Sequence, residues 1–390
     1  MSLVVVGSMA LTAVSFSASA GAAKAKSPFN VLMIVGTTGP VAPPSDAEIQ
    51  ATKAAAEVIN SQGGILGHQV KVQVQNDNLD PTTALSELQS AESGSSKPNL
   101  VFAGTTSNET LAMLPTLTRD QTLSMELAGS GVFDDPYQFA LPDYLPTQAQ
   151  AMVQAIQKKY PTAKKIGIAI TNDAFGTALL DAYEPAITAA GLTYSVQTFA
   201  PTATDVTPEL QALQATNPDV LIASGYGAIG GYILQDRANL GWTVPVVGDG
   251  QEGSNNLPAL VPASALVGVS LCIQNVSVYK PLSQQSKAFN TFFKATQKMG
   301  SKFTQSIVLY SLSYDDLMLT ALAAKQAGSI TGPAIAKALE SLKQPKVKPY
   351  VSWATEGFTK KLHVEQAGAV DYTLASPYTK LGMNLPLGSK

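Results

Sequence analysis

The chain has 390 residues, 45% of them hydrophobic and only 14% charged, with a formal net charge of −3. That length exceeds one ordinary core and makes two domains the expectation, while the near-neutral charge excludes a field that would gather nucleic acid or an anionic membrane surface. Arg119 and Arg237 are the only arginines, Cys272 the only cysteine, and His68 and His363 the only histidines. Phosphate clamps, an internal disulfide, a cysteine–zinc cluster and a Ser-His-Asp triad therefore all lack material.

Residues 1–23 read as most of a secretory signal. Leu3–Phe16 is an apolar stretch and Ala18-Ser19-Ala20 an A-x-A cleavage site, so the chain is expected to be exported, periplasmic or extracellular. Phe29–Gly36 is an apolar run that predicts a buried strand, followed by the loop Thr37-Thr38-Gly39-Pro40. An alanine-rich helix follows, with Ala51, Ala55, Val58 and Ile59 on one face. Ser45 and Glu48 stand in the Ser-x-x-Glu capping-box spacing, which predicts the helix start at Ser45. Gly63-Gly64 closes it. Gln69–Gln75 alternates polar and apolar residues as a half-buried strand does, and Asp80-Pro81 opens a second helix. Strand, helix, strand, helix is a right-handed parallel βαβ unit.

The unit then repeats. Strands are expected at Leu100–Gly104 and Gln121–Leu127 with a helix at Asn108–Thr118 between them. Phe139–Pro146 carries two prolines and no helical pattern, and marks the first domain boundary. A second series alternates helices and strands from Ala149 to Cys272. Helices at Ser283–Lys298, Ser306–Ala327 and Gly332–Leu342 have no new strands to cover and are expected to pack back on the first domain. The fold class is thus α/β, two Rossmann-like lobes with parallel central sheets of strand order 2-1-3-4-5, joined by a three-stranded hinge. The lobes are expected at 28–143 plus 275–347 and at 144–274 plus 348–375, with crossings near 140–146, 272–280 and 345–352 and a tail at 376–390.

Ligands of such sheets bind beyond the carboxyl ends of the strands. The first-lobe loops there offer Thr38, Thr106, Ser107, Asn108, Ala128, Gly129 and Ser130, hydroxyls and glycines without a basic side chain. Hydroxyls and unpaired helix-terminal amides suit a carboxylate. The second-lobe loops offer Phe175, Tyr226, Asp249 and Glu252, which suit an ammonium and an apolar body. A small zwitterion such as an amino acid fits both sets. Gly225-Tyr226-Gly227-Ala228-Ile229-Gly230 also matches G-x-G-x-x-G and is trailed by Asp249, the dinucleotide fingerprint. Its late position in the series and the tyrosine at the pyrophosphate approach argue against NAD, and no cofactor is expected.

The opening strand with Gly36 and Thr38-Gly39-Pro40, the turn Ile59-Asn60-Ser61-Gln62-Gly63-Gly64-Ile65-Leu66-Gly67, Asp77 with Asp80-Pro81-Thr82-Thr83-Ala84, Phe175-Gly176 and Gly225-Tyr226 together resemble one family. It is the type I periplasmic (solute) binding proteins of ABC importers, branched-chain amino acid group, and the likeness runs over 28–375 in element order. The resemblance implies a ligand enclosed by lobe closure, its carboxylate held at Ser107 or Asn108 and at Ala128 to Ser130. It also implies aromatic contacts from Phe175 and Tyr226 and an ammonium on the acid of the Asp249–Glu252 loop. It further implies a non-catalytic, monomeric receptor that delivers its ligand to ABC permease membrane subunits, a sensor feeding a signalling receptor being the alternative. This sequence departs from the family pattern at Leu79, where a disulfide cysteine would stand. It departs again at Pro43-Pro44, in place of an aromatic wall, at Phe175, where tyrosine is common, and in a short Gly-Gln insertion beside Asp249.

Overall fold

The computed structural model describes residues 1, 26–129, 132, 134–352, 357–365 and 371–390. The proposed signal segment from residue 2 on, its cleavage site, and Ser130 lie outside the described residues.

The first series runs β1 (Phe29–Val35), α1 (Ala42–Ser61), β2 (Val70–Asn76), α2 (Pro81–Ser93), β3 (Leu100–Ala103), α3 (Ser107–Asp120), β4 (Leu123–Glu126) and β5 (Gln138–Asp143). The second runs α4 (Leu145–Lys159), β6 (Lys165–Thr171), α5 (Ala174–Ala189), β7 (Thr193–Phe199), α6 (Thr207–Ala215), β8 (Val220–Ser224) and α7 (Ala228–Asn239). It ends with β9 (Val246–Gly248), the short α8 (Gly250–Gly253) and α9 (Leu257–Leu260), and β10 (Val269–Gln274). Helices α10 (Lys287–Lys298), α11 (Ile307–Ala327) and α12 (Gly332–Leu339) follow, then β11 (Val364–Glu365), β12 (Tyr372–Lys380) and β13 (Met383–Pro386).

Two sheets result. The first has the order β2-β1-β3-β4-β5-β11 and every pairing in it is parallel. The second has the order β7-β6-β8-β9-β10-β12-β13. Its β6–β10 core is parallel and β12 and β13 join antiparallel, so this sheet is mixed. The expected 2-1-3-4-5 order therefore appears in both. Buried on both faces, the inner strands β1, β3 and β8 are apolar apart from Asn30 and Ser224, whereas edge strand β2 alternates less and more exposed residues.

Local chemistry explains several element ends. Asp80 caps α2 by accepting from the Thr83 amide at 2.6 Å, and Pro81 takes the first helical position. Ser286 caps α10 in the same way through the Phe289 amide. Helix α11 is largely apolar and is 83% buried over its most hydrophobic stretch, packed against α1, α10 and α12. The late helices thus cover the first sheet, as the sequence suggests.

Four expectations need correction. Helix α1 begins at Ala42 rather than Ser45, because Pro43 and Pro44 have φ already suited to a first turn and lack the amide protons that turn leaves unused. The Phe139–Pro146 stretch contains strand β5, and Pro142, which cannot donate to a ladder, falls where the β5–β11 register slips from Ala140↔Val364 to Asp143↔Glu365. Because β11 still pairs in the first sheet and β12 in the second, the chain has not left the first sheet at 345–352, the place of the expected third crossing. Finally, 376–390 is not a tail. It holds the end of β12 and all of β13, with Asn384 buried and its carbonyl accepting from the Tyr279 amide at 2.8 Å.

Candidate functional site

The carboxyl ends of β3 and β4 face those of β6, β8 and β9 across a cleft holding about 890 Å³ of atom-free space, the open solvent at its mouth included. After β3 the chain turns at Gly104, whose φ of +73° leaves no room for a side chain, since a Cβ would sit 2.9 Å from the Thr106 carbonyl. The turn aims the N-terminus of α3 into the cleft. Thr106 is its extended N-cap residue, and its hydroxyl donates to the Glu109 carboxylate three positions on, so the two side chains bond each other and the hydroxyl caps no amide. Ser107 opens the helix. Its Oγ is buried and has no hydrogen-bond partner among the described residues. Thr105, Ala128 and Gly129 complete this corner.

On the opposite wall Asp173 caps α5, accepting from the Gly176 amide and the Thr171 hydroxyl at 2.9 Å each. Tyr226 donates its hydroxyl to Asp173 at 2.5 Å. Burial, then the Asp173 charge, push the phenol of Tyr226 well above its usual range, so it stays a donor. Phe175 lies over Gly129, where an added Cβ would meet its ring at 3.2 Å. The halves also touch at the mouth through the Ala174 amide donating to Asn108 Oδ1 at 3.4 Å, and Gly227 leaves only 3.0 Å from its Cβ position to the Pro40 carbonyl. A third stretch of wall comes from Val41, Pro44 and Glu48 on and before α1 and from Val308, Leu309 and Leu312 of α11. Gln148, Gln251 and Gln274 add amides. Among the described residues no lysine, arginine or histidine lines the cleft.

Of the residues singled out from sequence, Thr106, Ser107, Ala128, Gly129, Phe175 and Tyr226 come together around the cavity. Four do not line it. Thr38 is exposed and bonds Asn78 and Asn76, tying its loop to the end of β2. Asn108 spans the mouth. Asp249 is fully buried and caps α8, accepting from the Gln251 and Glu252 amides at 3.0 and 3.1 Å. Burial raises its carboxyl to about 6. Glu252 is fully buried behind it, its carboxyl raised well above normal by burial and by Asp249. The side chain that this loop turns to the cavity is the neutral Gln251. Glu48, Asp173, Gln148, Gln251 and Gln274 escaped the sequence reading. Asp173 stood in a loop already flagged, whereas Glu48 looked like part of a capping box.

The G-x-G-x-x-G segment is explained by packing. A Cβ on Gly225 would lie 2.9 Å from the Gly230 amide, and one on Gly230 would lie 2.4 Å from Asn255 Nδ2 and 3.0 Å from Glu252 Oε2. The close approach these glycines permit is taken by the chain itself rather than by a pyrophosphate.

Residues 28–363 match the periplasmic binding protein family. Among curated proteins the chain is similar to the Leu/Ile/Val-binding protein homolog 3 of Brucella melitensis, 26% identical over 254 residues, covering 63% of this chain and 67% of that protein. Among solved structures it resembles a periplasmic binding protein type 1 from Bordetella pertussis Tohama I, with a TM-score of 0.79 at 18% identity over 93% of this chain and 98% of the other. It also resembles the branched-chain amino acid transporter substrate-binding protein LivJ of Streptococcus pneumoniae, solved with isoleucine, with a TM-score of 0.73 at 18% identity over 92% and 97% of the two chains. With a family match spanning both sheets and the cleft between them, the chain belongs to the type I periplasmic binding proteins.

Proposed function

We propose that this chain is the exported, non-catalytic solute receptor of an ABC importer. Its two halves close on a small organic carboxylate, in the first instance an amino acid, and the closed form is presented to permease subunits by a monomer. The observation that carries the reading is Ser107. A buried hydroxyl without a partner, at a helix N-terminus inside a cavity free of cationic side chains, is set for an anionic acceptor. The apolar surface of Val41, Pro44, Leu309 and Leu312 suits the rest of such a ligand. The Leu/Ile/Val-binding relative and the isoleucine complex of LivJ support the same class. In this reading the halves hinge at the three passages between the sheets, where a few residues change φ/ψ and each half stays rigid.

A thermal-shift screen of amino acids and other small carboxylates tests it. A true ligand at a hundred times its Kd adds about 2.7 kcal/mol of stability, and its binding should shrink the radius of gyration in solution scattering. If no carboxylate moves the midpoint, the proposal falls.

A further inference from the structure

The cavity contains one feature that carboxylate recognition leaves unused. Glu48 is 3% exposed, lines the cavity, and its Oε2 has no hydrogen-bond partner among the described residues. It follows Pro44 by one turn of α1, so both face the same side. On α11, Leu309, Leu312 and Asp316 fall at i, i+3 and i+7, one stripe of the helix. The two leucines line the cavity and Asp316 is buried behind, in electrostatic contact with Glu48. An apolar stretch of wall therefore ends in a single carboxyl that has an acid rather than a base beside it. Burial raises that carboxyl well above its normal range, which favours its protonated form. A protonated carboxyl offers an acceptor and a donor side by side, the complement of a primary amide or a hydroxyl.

We propose that Glu48 is a specificity-determining residue and that the ligand carries, beside its carboxylate and on an apolar stem, a neutral amide or hydroxyl that hydrogen-bonds to it. This rests on the carboxylate reading above. A purely hydrocarbon side chain would leave Glu48 Oε2 buried and unpaired, and a site built around such a group discriminates against the analogue that lacks the partner.

Titration calorimetry of the purified chain with near-isosteric pairs tests the inference: valine against threonine, leucine against asparagine, phenylalanine against tyrosine. The member bearing the extra polar group should bind about 10-fold or more tightly in at least one pair. Glu48→Leu should collapse or invert that ratio, with the affinity for the apolar member held or raised, while Glu48→Gln, which keeps a donor and an acceptor, should preserve it. Preference of the wild-type chain for the apolar member of every pair that binds would overturn the inference and leave the carboxylate reading standing. So would an unchanged ratio in a Glu48→Leu protein with native circular dichroism. If that variant does not fold, the wild-type ratios and Glu48→Gln still decide. Failure of every compound to bind would overturn the carboxylate reading, and this inference with it.

Discussion

Ser107 and Glu252 show how differently two buried polar groups can act in one protein. Ser107 Oγ bonds to nothing among the described residues, so Ser107→Ala should leave the urea midpoint of the ligand-free chain within about 0.5 kcal/mol of wild type. It should weaken binding of whichever amino acid stabilises the protein by about 10-fold, the worth of one hydrogen bond to a charged acceptor. Glu252 is the reverse case. Its carboxyl is raised by burial and by Asp249, so the folded state holds its proton to higher pH than the unfolded chain does. Glu252→Gln removes that cost. Urea denaturation at pH 7.5 should find the variant as stable as wild type or more so, and the gain should vanish near pH 4, where both states are protonated. The ammonium role that the resemblance implies for this loop predicts instead a loss of amino acid affinity in Glu252→Gln, and calorimetry separates the two.

At the scale of elements, the N-termini of the helices decide the site. Thr106 and Glu109 stand at the start of α3 in the spacing that Ser45 and Glu48 show in α1, their side chains bonded to each other. The pattern is the same in both places. In α1, however, Pro43 and Pro44 carry the helix upstream, and Ser45 becomes an interior residue whose hydroxyl bonds Thr105 at 2.8 Å. Glu48 is thereby freed for the cavity wall. A local pattern cannot report this, because it does not contain the chain that precedes it. Packing between elements is just as specific where α7 meets the α8 loop. Gly230→Ala places a Cβ 2.4 Å from Asn255 Nδ2. Asn255 also donates to the Gly225 carbonyl at 2.8 Å, so the clash cannot be relieved without losing that bond. The expected loss is about 2–3 kcal/mol in denaturant unfolding, with Tyr226 displaced and ligand affinity reduced as well.

The whole molecule carries an unusual number of buried acids for its low charge. Glu48, Asp77, Glu109, Asp249, Glu252, Asp315 and Asp316 are all raised, with burial the leading cause in each. Asp315, on α11, reaches about 7 although it accepts from the Val351 and Ser352 amides, bonds that tie residues 351–352 to α11. For each of these groups the folded state binds more protons than the unfolded one, so stability falls as pH rises from about 4 towards 7. The lowered carboxyls of Asp80 and Asp219 act in the opposite sense, and only below their ordinary range. Thermal midpoints should therefore be highest in mildly acidic buffer and decline towards pH 7.5. Asp316→Asn, which removes one of the displaced groups, should flatten that slope by about 1.4 kcal/mol per pH unit per proton. A midpoint that rises from pH 5 to 7.5 would contradict the account.

Periodicity in the sequence was enough to determine the βα units and the return of the late helices to the first sheet, because burial on both faces, burial on one, and a helical stripe each leave a distinct apolar pattern; the 2-1-3-4-5 order came from the doubly wound topology that the family resemblance implies. It also located the loops that hold Thr106, Ser107, Ala128, Gly129, Phe175 and Tyr226, since strand ends face a cleft in any doubly wound sheet. Only the tertiary structure decided which acids reach that cleft. Helix α1 starts three residues before Ser45, and each added helical residue turns the later side chains by about 100°, while a helix of one turn buries Asp249 and Glu252 and presents Gln251. Likewise β11 and β12 pair with β5 and β10, far away in sequence, and β13 joins through its hairpin with β12, so their places in the two sheets came from pairing across the fold rather than from the local pattern of 350–390.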